Sequence, residues 1–373
     1  MTTFCNATLV LPEDVRAGGL SVENGVITAL AASGPGLDLE GDYLLPGLVD
    51  LHTDNLERQA QPRANARWPS RSALLSHDAQ CAAAGITTVF DALCIGDIGF
   101  EAARNDTFEN GFADLTALAP TGALKVEHLL HLRCELPAAS MPATLLRVID
   151  SPLVKLVSLM DHSPGIGGQY ADMARYRKMR AAEGFAAGEI EDMIEALQTA
   201  HYANHLPNRA VVVAAAQQRG IPLASHDDRT EEEIARNAAD GITITEFPVS
   251  LAAARAARAR GMRSIAGAPN IVRGGSHSGN VAVLELIRAG LLDALASDYV
   301  PAAMLEAAFC AVGQGILPLP AAIALVTSGP ADMVGLTDRG RLAPGQRADL
   351  LQVRLYDGLP VIRAVWRAGA RIA

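Results

Sequence analysis

Hydrophobic and polar positions change rhythm twice along the chain. Over residues 1–46 they alternate in short runs such as "NATLVLP" and "GGLSVENGVITALAAS". Asn24-Gly25, between "LSVE" and "VITAL", is the dipeptide that a tight two-residue hairpin turn favours, because both central residues take positive φ. The same alternation returns over residues 331–373, in "RADLLQVRLYDGLPVIRAVWRAGARIA", around Asp357-Gly358. The two β-rich stretches predict one small β-sandwich domain formed by both chain termini. Residues 47–330 behave differently. Short apolar runs near 47–54, 86–93, 127–136, 153–161, 222–226, 243–247, 264–268 and 294–298 are each followed by helical stretches. Strands alternating with helices argue for parallel βα units. Eight of them predict an α/β fold with a (β/α)8 TIM-like barrel, whose active site belongs at the C-terminal strand ends. One connection, about 163–220, is too long for a loop and carries helical text such as "GEIEDMIEALQTAHYANH". It reads either as a lid over the mouth or as helices packed on the barrel wall.

The barrel reading makes the strand ends the place to look for chemistry. The first strand closes on His52-Thr53-Asp54, the third on Glu135, the fourth on Asp161-His162, the fifth on His226-Asp227-Asp228 and the eighth on Asp298. One such residue is readily a hydrogen-bonded core group, but five apolar strands ending in histidine or carboxylate point to a metal cluster. His52 and Asp54 are two apart and so project from one face of a strand. Imidazole with carboxylate suits zinc, iron or manganese, as one or two divalent ions. A two-ion site needs a bridging anion, and the candidates are Glu135 and a carbamylated Lys155. Lys155 lies seven residues before His162, roughly 23 Å down the strand, which puts it at the barrel bottom and leaves Glu135 as the bridge. His77, His128, His131, His201 and His205 read as structural.

The stretch "GAPNIVRGGSHSGN", 267–280, follows the seventh strand and precedes a helix. Its Arg273, Gly274, Gly275, Ser276 and His277 offer a guanidinium and backbone N–H groups to an anion, in the region where barrels hold phosphate. Arg58, Arg63 and Arg67 add positive charge after strand one, and Arg63 is taken as a further substrate contact. The net charge of −10 gives no reason to expect nucleic acid or a membrane surface as partner. The N-terminus lacks a basic signal region, and no apolar run is long enough to span a bilayer. Five scattered cysteines without a CxxC read as reduced, buried thiols. A cytoplasmic homo-oligomer acting on a small molecule is the resulting expectation.

The blocks "LPGLVDLHTD", "GITTVFDA" and "GRLAPGQRADLLQV" resemble the amidohydrolase superfamily. Within it, "HTDNLE", "SHDAQ", "LHLRCELP", "LVSLMDHSPG", "ASHDD", "GAPNIVRGGSHSGN" and "SDY" resemble the phosphonate-utilisation members of the carbon–phosphorus lyase pathway. The resemblance implies a metal-dependent hydrolase that releases pyrophosphate from a ribosyl triphosphate. It matches His52 and Asp54 to the first-strand ligand pair, His162 and His226 to the later histidines, and Asp298 to the last-strand aspartate. Asp298 then accepts the proton of the attacking water. The chain departs from the superfamily in having His-x-Asp for the usual His-x-His. Its bridge and later histidines also fall one strand earlier than the usual scheme. A C–N hydrolase and a non-catalytic scaffold are the alternative expectations.

Overall fold

The computed structural model describes residues 1–30, 35–63, 66–96, 102–166, 168–276 and 279–373. At the front of the chain lie β1 (Thr2–Val10), β2 (Val15–Glu23), β3 (Val26–Leu30), β4 (Leu37–Asp38) and β5 (Tyr43–Pro46). Asn24 and Gly25 join β2 to β3 at φ 49° and 79°, the doubly left-handed turn that their sequence favours.

Eight parallel strands follow: β6 (Leu48–Thr53), β7 (Ile86–Ile95), β8 (Glu127–Glu135), β9 (Val154–Met160), β10 (Leu223–His226), β11 (Ile244–Glu246), β12 (Arg263–Gly267) and β13 (Ala294–Ala296). Each falls within or beside an apolar run read from the sequence. They pair in chain order. The ring closes where Asp298 N–H donates to the His52 carbonyl (3.0 Å) and Asp54 N–H donates to the Asp298 carbonyl (2.7 Å). All ten residues of β7 are buried, as expected of a parallel strand covered on both faces.

The α-helices among the described residues are α1 (Asn55–Ala60), α2 (Ser70–Ala83), α3 (Ala102–Leu118), α4 (Met141–Val148), α5 (Met173–Ala182), α6 (Ala187–Gln217), α7 (Glu231–Ala239), α8 (Leu251–Ala259), α9 (Ala268–Val272), α10 (Val283–Arg288), α11 (Ala303–Gly313), α12 (Leu319–Ala324) and α13 (Ser328–Met333). Local sequence sets their starts. Before α7, Thr230 Oγ1 accepts from Glu233 N–H and Glu233 Oε2 accepts from Thr230 N–H, a capping box that satisfies two otherwise orphaned donors. The long connection is α5 and α6. The last part of α6, with Val212, Ala215 and Ala216, packs in the barrel-wall core, whereas Ile190, Ile194 and Leu197 form a separate core with Tyr176. Between the two parts stands Pro207, which removes one rung of the helical hydrogen-bond ladder. Among the described residues, no helix is long and apolar enough to cross a membrane.

The chain then returns to its first sheet with β14 (Leu350–Tyr356), β15 (Leu359–Arg367) and β16 (Ala370–Arg371). The order is β16-β15-β14-β5-β1-β2-β3, with β4 beside β1. Phe4 of β1 and Trp366 of β15 meet edge to face at 5.0 Å. In a flat sheet three strand spacings would separate them by roughly 14 Å, so the sheet curls over its own core of Phe4, Leu20, Ile27, Leu44, Leu350 and Trp366.

Candidate metal centre and active-site cavity

Three strands end in non-glycine residues at positive φ: Asp227 after β10 (55°), Phe247 after β11 (52°) and Asp298 after β13 (56°). L-residues avoid this region for steric reasons, and a bulky one such as phenylalanine avoids it most. The twist turns each side chain across the barrel mouth. Phe247 lies edge-on to His52 and His226, with ring centroids 4.9 and 5.3 Å away.

Three histidines share one arrangement. His52 Nδ1 is 3.2 Å from Glu246 Oε1, and His226 Nδ1 is 3.4 Å from Glu246 Oε2. His162 Nδ1 is 2.6 Å from Glu135 Oε2, whose second oxygen accepts the His162 backbone N–H at 2.9 Å. Each imidazole therefore has a buried glutamate behind its Nδ1, which fixes the tautomer and leaves the Nε2 lone pair for an ion. Histidine ligands of metals are commonly oriented by carboxylates in this way. With Glu246 behind the Nδ1 atoms of His52 and His226, His162, His226 and Asp227 can converge on one ion. His131 is different. Its Nδ1 can only donate to the Leu51 carbonyl (3.1 Å), so its Nε2 accepts from Ser158 (2.8 Å). Burial pulls its imidazole down to about 3. It is a neutral residue filling the barrel beneath His52.

Acidic groups crowd the open side. His52 Nε2 is 3.6 Å from Asp54 Oδ1, which also accepts from Arg133 Nη1 at 2.6 Å. Without an ion, burial pulls His52 down, but the charge of Glu246 and the hydrogen bond to Asp54 overcome it and lift the imidazole to about 10, so an ion at Nε2 takes the place of a proton. Burial pushes Asp298 up to about 7, with Asp54 adding to the rise. Asp227 Oδ2 is buried with no hydrogen-bond partner among the described residues. A carboxylate oxygen left bare in a dry site is costly, and a cation beside His162 and His226 relieves that cost. The donor set therefore fits divalent metal.

Above these groups lies a cavity of about 260 Å³. Its lining combines His52, Asp54, Arg133, His226, Asp227 and Asp298 with Asn270, Arg273, Ser276 and Tyr299. Arg273 Nη1 donates to the Tyr299 hydroxyl at 3.2 Å. Arg58 donates to the Tyr299 carbonyl and so braces this wall from outside.

Of the residues expected to form the site, the structure brings His52, Asp54, His226, Asp298, Arg273 and Ser276 to this cavity. His162 stands beside His226, 6.0 Å between rings. Glu135 is not placed as a bridge. Both its oxygens serve His162, and Glu246 is the carboxylate that spans two histidines. Gly274 and Gly275 do not offer their backbone N–H groups to an anion, because these donate to the carbonyls of Ile271 and Asn270 at the end of α9. Arg63 is exposed in the turn after α1 and does not line the cavity. His277 lies outside the described residues. Lys155 is exposed near the start of β9, away from the mouth. Cys81, Cys94 and Cys134 are buried free thiols, whereas Cys5 and Cys310 are partly exposed.

Sequence reasoning passed over Glu246, Arg133, Phe247 and Tyr299, and placed Asp227 at its strand end without giving it a role. Glu246 closes the apolar run "ITITE", and the rule that selected Glu135 selects it equally. Asp227 follows His226 directly, where strand alternation assigns it to the opposite face. Only the positive φ brings it back.

A mouth of histidines and carboxylates on a parallel barrel flanked by a sheet from both termini is the architecture of a metal-dependent hydrolase. The model of the amidohydrolase family matches residues 75–361, and the chain belongs to that family. In sequence it is similar to the alpha-D-ribose 1-methylphosphonate 5-triphosphate diphosphatase of Escherichia coli (strain K12), 44% identical over 98% of this chain and 99% of that one. It is also similar to the imidazolonepropionase of Deinococcus deserti, 25% identical over 90% of this chain and 85% of that one. In structure it resembles N-isopropylammelide isopropylaminohydrolase from Burkholderia multivorans, with a TM-score of 0.65 and 19% identity over 100% of this chain and 98% of that one. At that identity the likeness concerns the fold.

Proposed function

We propose that this hydrolase cleaves α-D-ribose 1-methylphosphonate 5-triphosphate to the 5-phosphate and pyrophosphate. The observation that carries the reading is that one cavity is lined both by a His/carboxylate set suited to metal and by Arg273. The E. coli relative, similar along nearly its whole length, supports the choice of substrate. In this reading His52, Asp54, His162, His226, Asp227 and Asp298 hold one or two divalent ions, zinc, iron or manganese, while Glu246 and Glu135 orient the histidines. A bound ion lowers the pKa of a coordinated water and polarises the phosphoryl oxygen.

The chain's own groups do the rest. Arg273 takes the outer phosphates, where a guanidinium can pair with two oxygens at once. Asp298, at the cavity beside His52 and Asp54, accepts the proton of the attacking water. The water oxygen bonds to the α-phosphorus, the bond from that phosphorus to the bridging oxygen breaks, and pyrophosphate leaves with that oxygen. Arg133 fixes Asp54 and keeps it ionised: burial pushes that carboxyl up, and the adjacent guanidinium outweighs it.

The test is phosphorus NMR of metal-replete protein with the ribosyl triphosphate, nucleoside triphosphates and cyclic amides. Pyrophosphate and the 5-phosphate in equal amounts are expected. Release of orthophosphate alone, or turnover only of a cyclic amide, overturns the reading.

A further inference from the structure

We propose that Asp161, His201 and His205 form an additional site for a divalent transition metal, separate from the barrel-mouth centre, which ties α6 to the top of β9. Sequence reading gives the two histidines structural roles. In the fold they stand four residues apart on α6 and so share one helical face. Their Nδ1 atoms lie 2.6 and 2.7 Å from the same atom, Asp161 Oδ2, and their rings are 4.7 Å apart. The other Asp161 oxygen accepts the Ser163 backbone N–H at 2.9 Å, which holds the carboxylate still. One donor atom from each of the three residues can meet at one point.

Two histidines at i and i+4 with one carboxylate are a common binding set for zinc, and such sets leave a fourth position for water. That position has room here, because the three side chains line a cavity of about 350 Å³ that also reaches His226 and Asp227. With metal–ligand bonds of roughly 2.0–2.2 Å, tetrahedral donors sit roughly 3.4 Å apart. The present N–O gaps need to open by less than 1 Å, within the reach of side-chain rotation. Without metal the three groups still satisfy one another, each imidazole donating its Nδ1 proton to Asp161. An ion held at the Nδ1 atoms requires each neutral imidazole to carry its proton on Nε2 instead.

The location gives the site its role. Asp161 directly precedes His162 and follows β9. The histidines belong to the part of α6 that rises beyond the barrel wall, so an ion here anchors the inserted helices beside the mouth.

The test uses full-length protein stripped with chelator and titrated with Zn²⁺ in competition with a chromophoric chelator. Three proteins are compared: wild type, His201→Ala/His205→Ala, and His52→Ala/His226→Ala. The site is expected as one equivalent missing from the His201/His205 variant and retained in the His52/His226 variant. His205→Gln is the second variant, since glutamine keeps a helix former and a hydrogen-bond donor to Asp161 while removing the imidazole. It is expected to lose the same equivalent, with its melting temperature without metal unchanged. Equal stoichiometry in wild type, His201→Ala/His205→Ala and His205→Gln overturns the proposal and leaves a purely hydrogen-bonded triad. Failure of the mouth reading shows instead as an unaltered stoichiometry in His52→Ala/His226→Ala, so the two ideas fail separately.

Discussion

Two arginines among the described residues line the reaction cavity; Arg133 is paired with the Asp54 carboxylate, whereas Arg273 donates to the neutral Tyr299 hydroxyl. Replacement of Arg273 by alanine is expected to lower kcat/KM on a triphosphate by roughly 30- to 1000-fold, or about 2–4 kcal/mol of transition-state binding. A simpler phosphodiester should lose little, and comparing the two substrates on wild type and variant checks this. Lysine should restore only part of the loss, because it lacks the planar fork. A second residue-scale expectation concerns the glutamates behind the histidines. Glu246→Gln and Glu135→Gln are each expected to weaken metal binding by roughly 10- to 100-fold, the usual cost of removing an outer partner, whereas Lys155→Met should leave metal content intact. Elemental analysis after dialysis reads all three. These residues were unequally legible. His52, His226 and Asp298 close apolar strands and announce themselves. Arg133 sits inside such a strand, and its pairing with Asp54 arises only when β6 and β8 face the same mouth.

Strands and helices were easier to read than the turns joining them. A buried parallel strand writes itself as an apolar run, and all eight could be placed that way. The loop after β12 was read correctly as glycine-rich, but α9 within it uses up the backbone donors that the glycines were expected to present. The hydrogen-bond bookkeeping of a short helix does not show in composition. Gly85 marks another junction. It ends α2 at φ 82°, and an added Cβ would lie 2.9 Å from the Leu351 side chain of β14 and 3.1 Å from Ile362 of β15. Gly85→Ala is expected to cost roughly 1–2 kcal/mol from the left-handed backbone alone. For a chain of this size that lowers the melting temperature by roughly 1–3 °C, without changing kcat below the transition.

At the scale of the molecule, one ion cluster joins barrel and sheet. Glu127, at the start of β8, accepts from Arg339 at 2.6 Å and from Arg347, and both arginines also donate to Thr88. Burial pushes the Glu127 carboxyl up, but the charges of Arg347 and Arg339 outweigh it and hold it below its ordinary value of 4.5. A carboxyl depressed in the folded state stabilises it above its unfolded pKa, and that contribution is lost as pH falls through the folded value. Glu127→Gln is therefore expected to be less stable than wild type at neutral pH and to converge with it in acid. Urea midpoints measured across that range check the sign. The sheet formed by both termini was legible because alternation returns after Gly345. The cluster was not, since its members lie in segments that the sequence gives no reason to join.

The pairing of β5 with β14 sets a timetable for synthesis. Leu45 bonds across to Leu351, about 300 residues downstream. At roughly 5–20 residues per second on the ribosome, β5 waits on the order of 15–60 s for its neighbour. Throughout that interval the nascent chain carries an open sheet edge while the barrel strands β6 to β13 are being made. A stalled or prematurely terminated product keeps that edge permanently, which makes such fragments natural clients for chaperones and proteases.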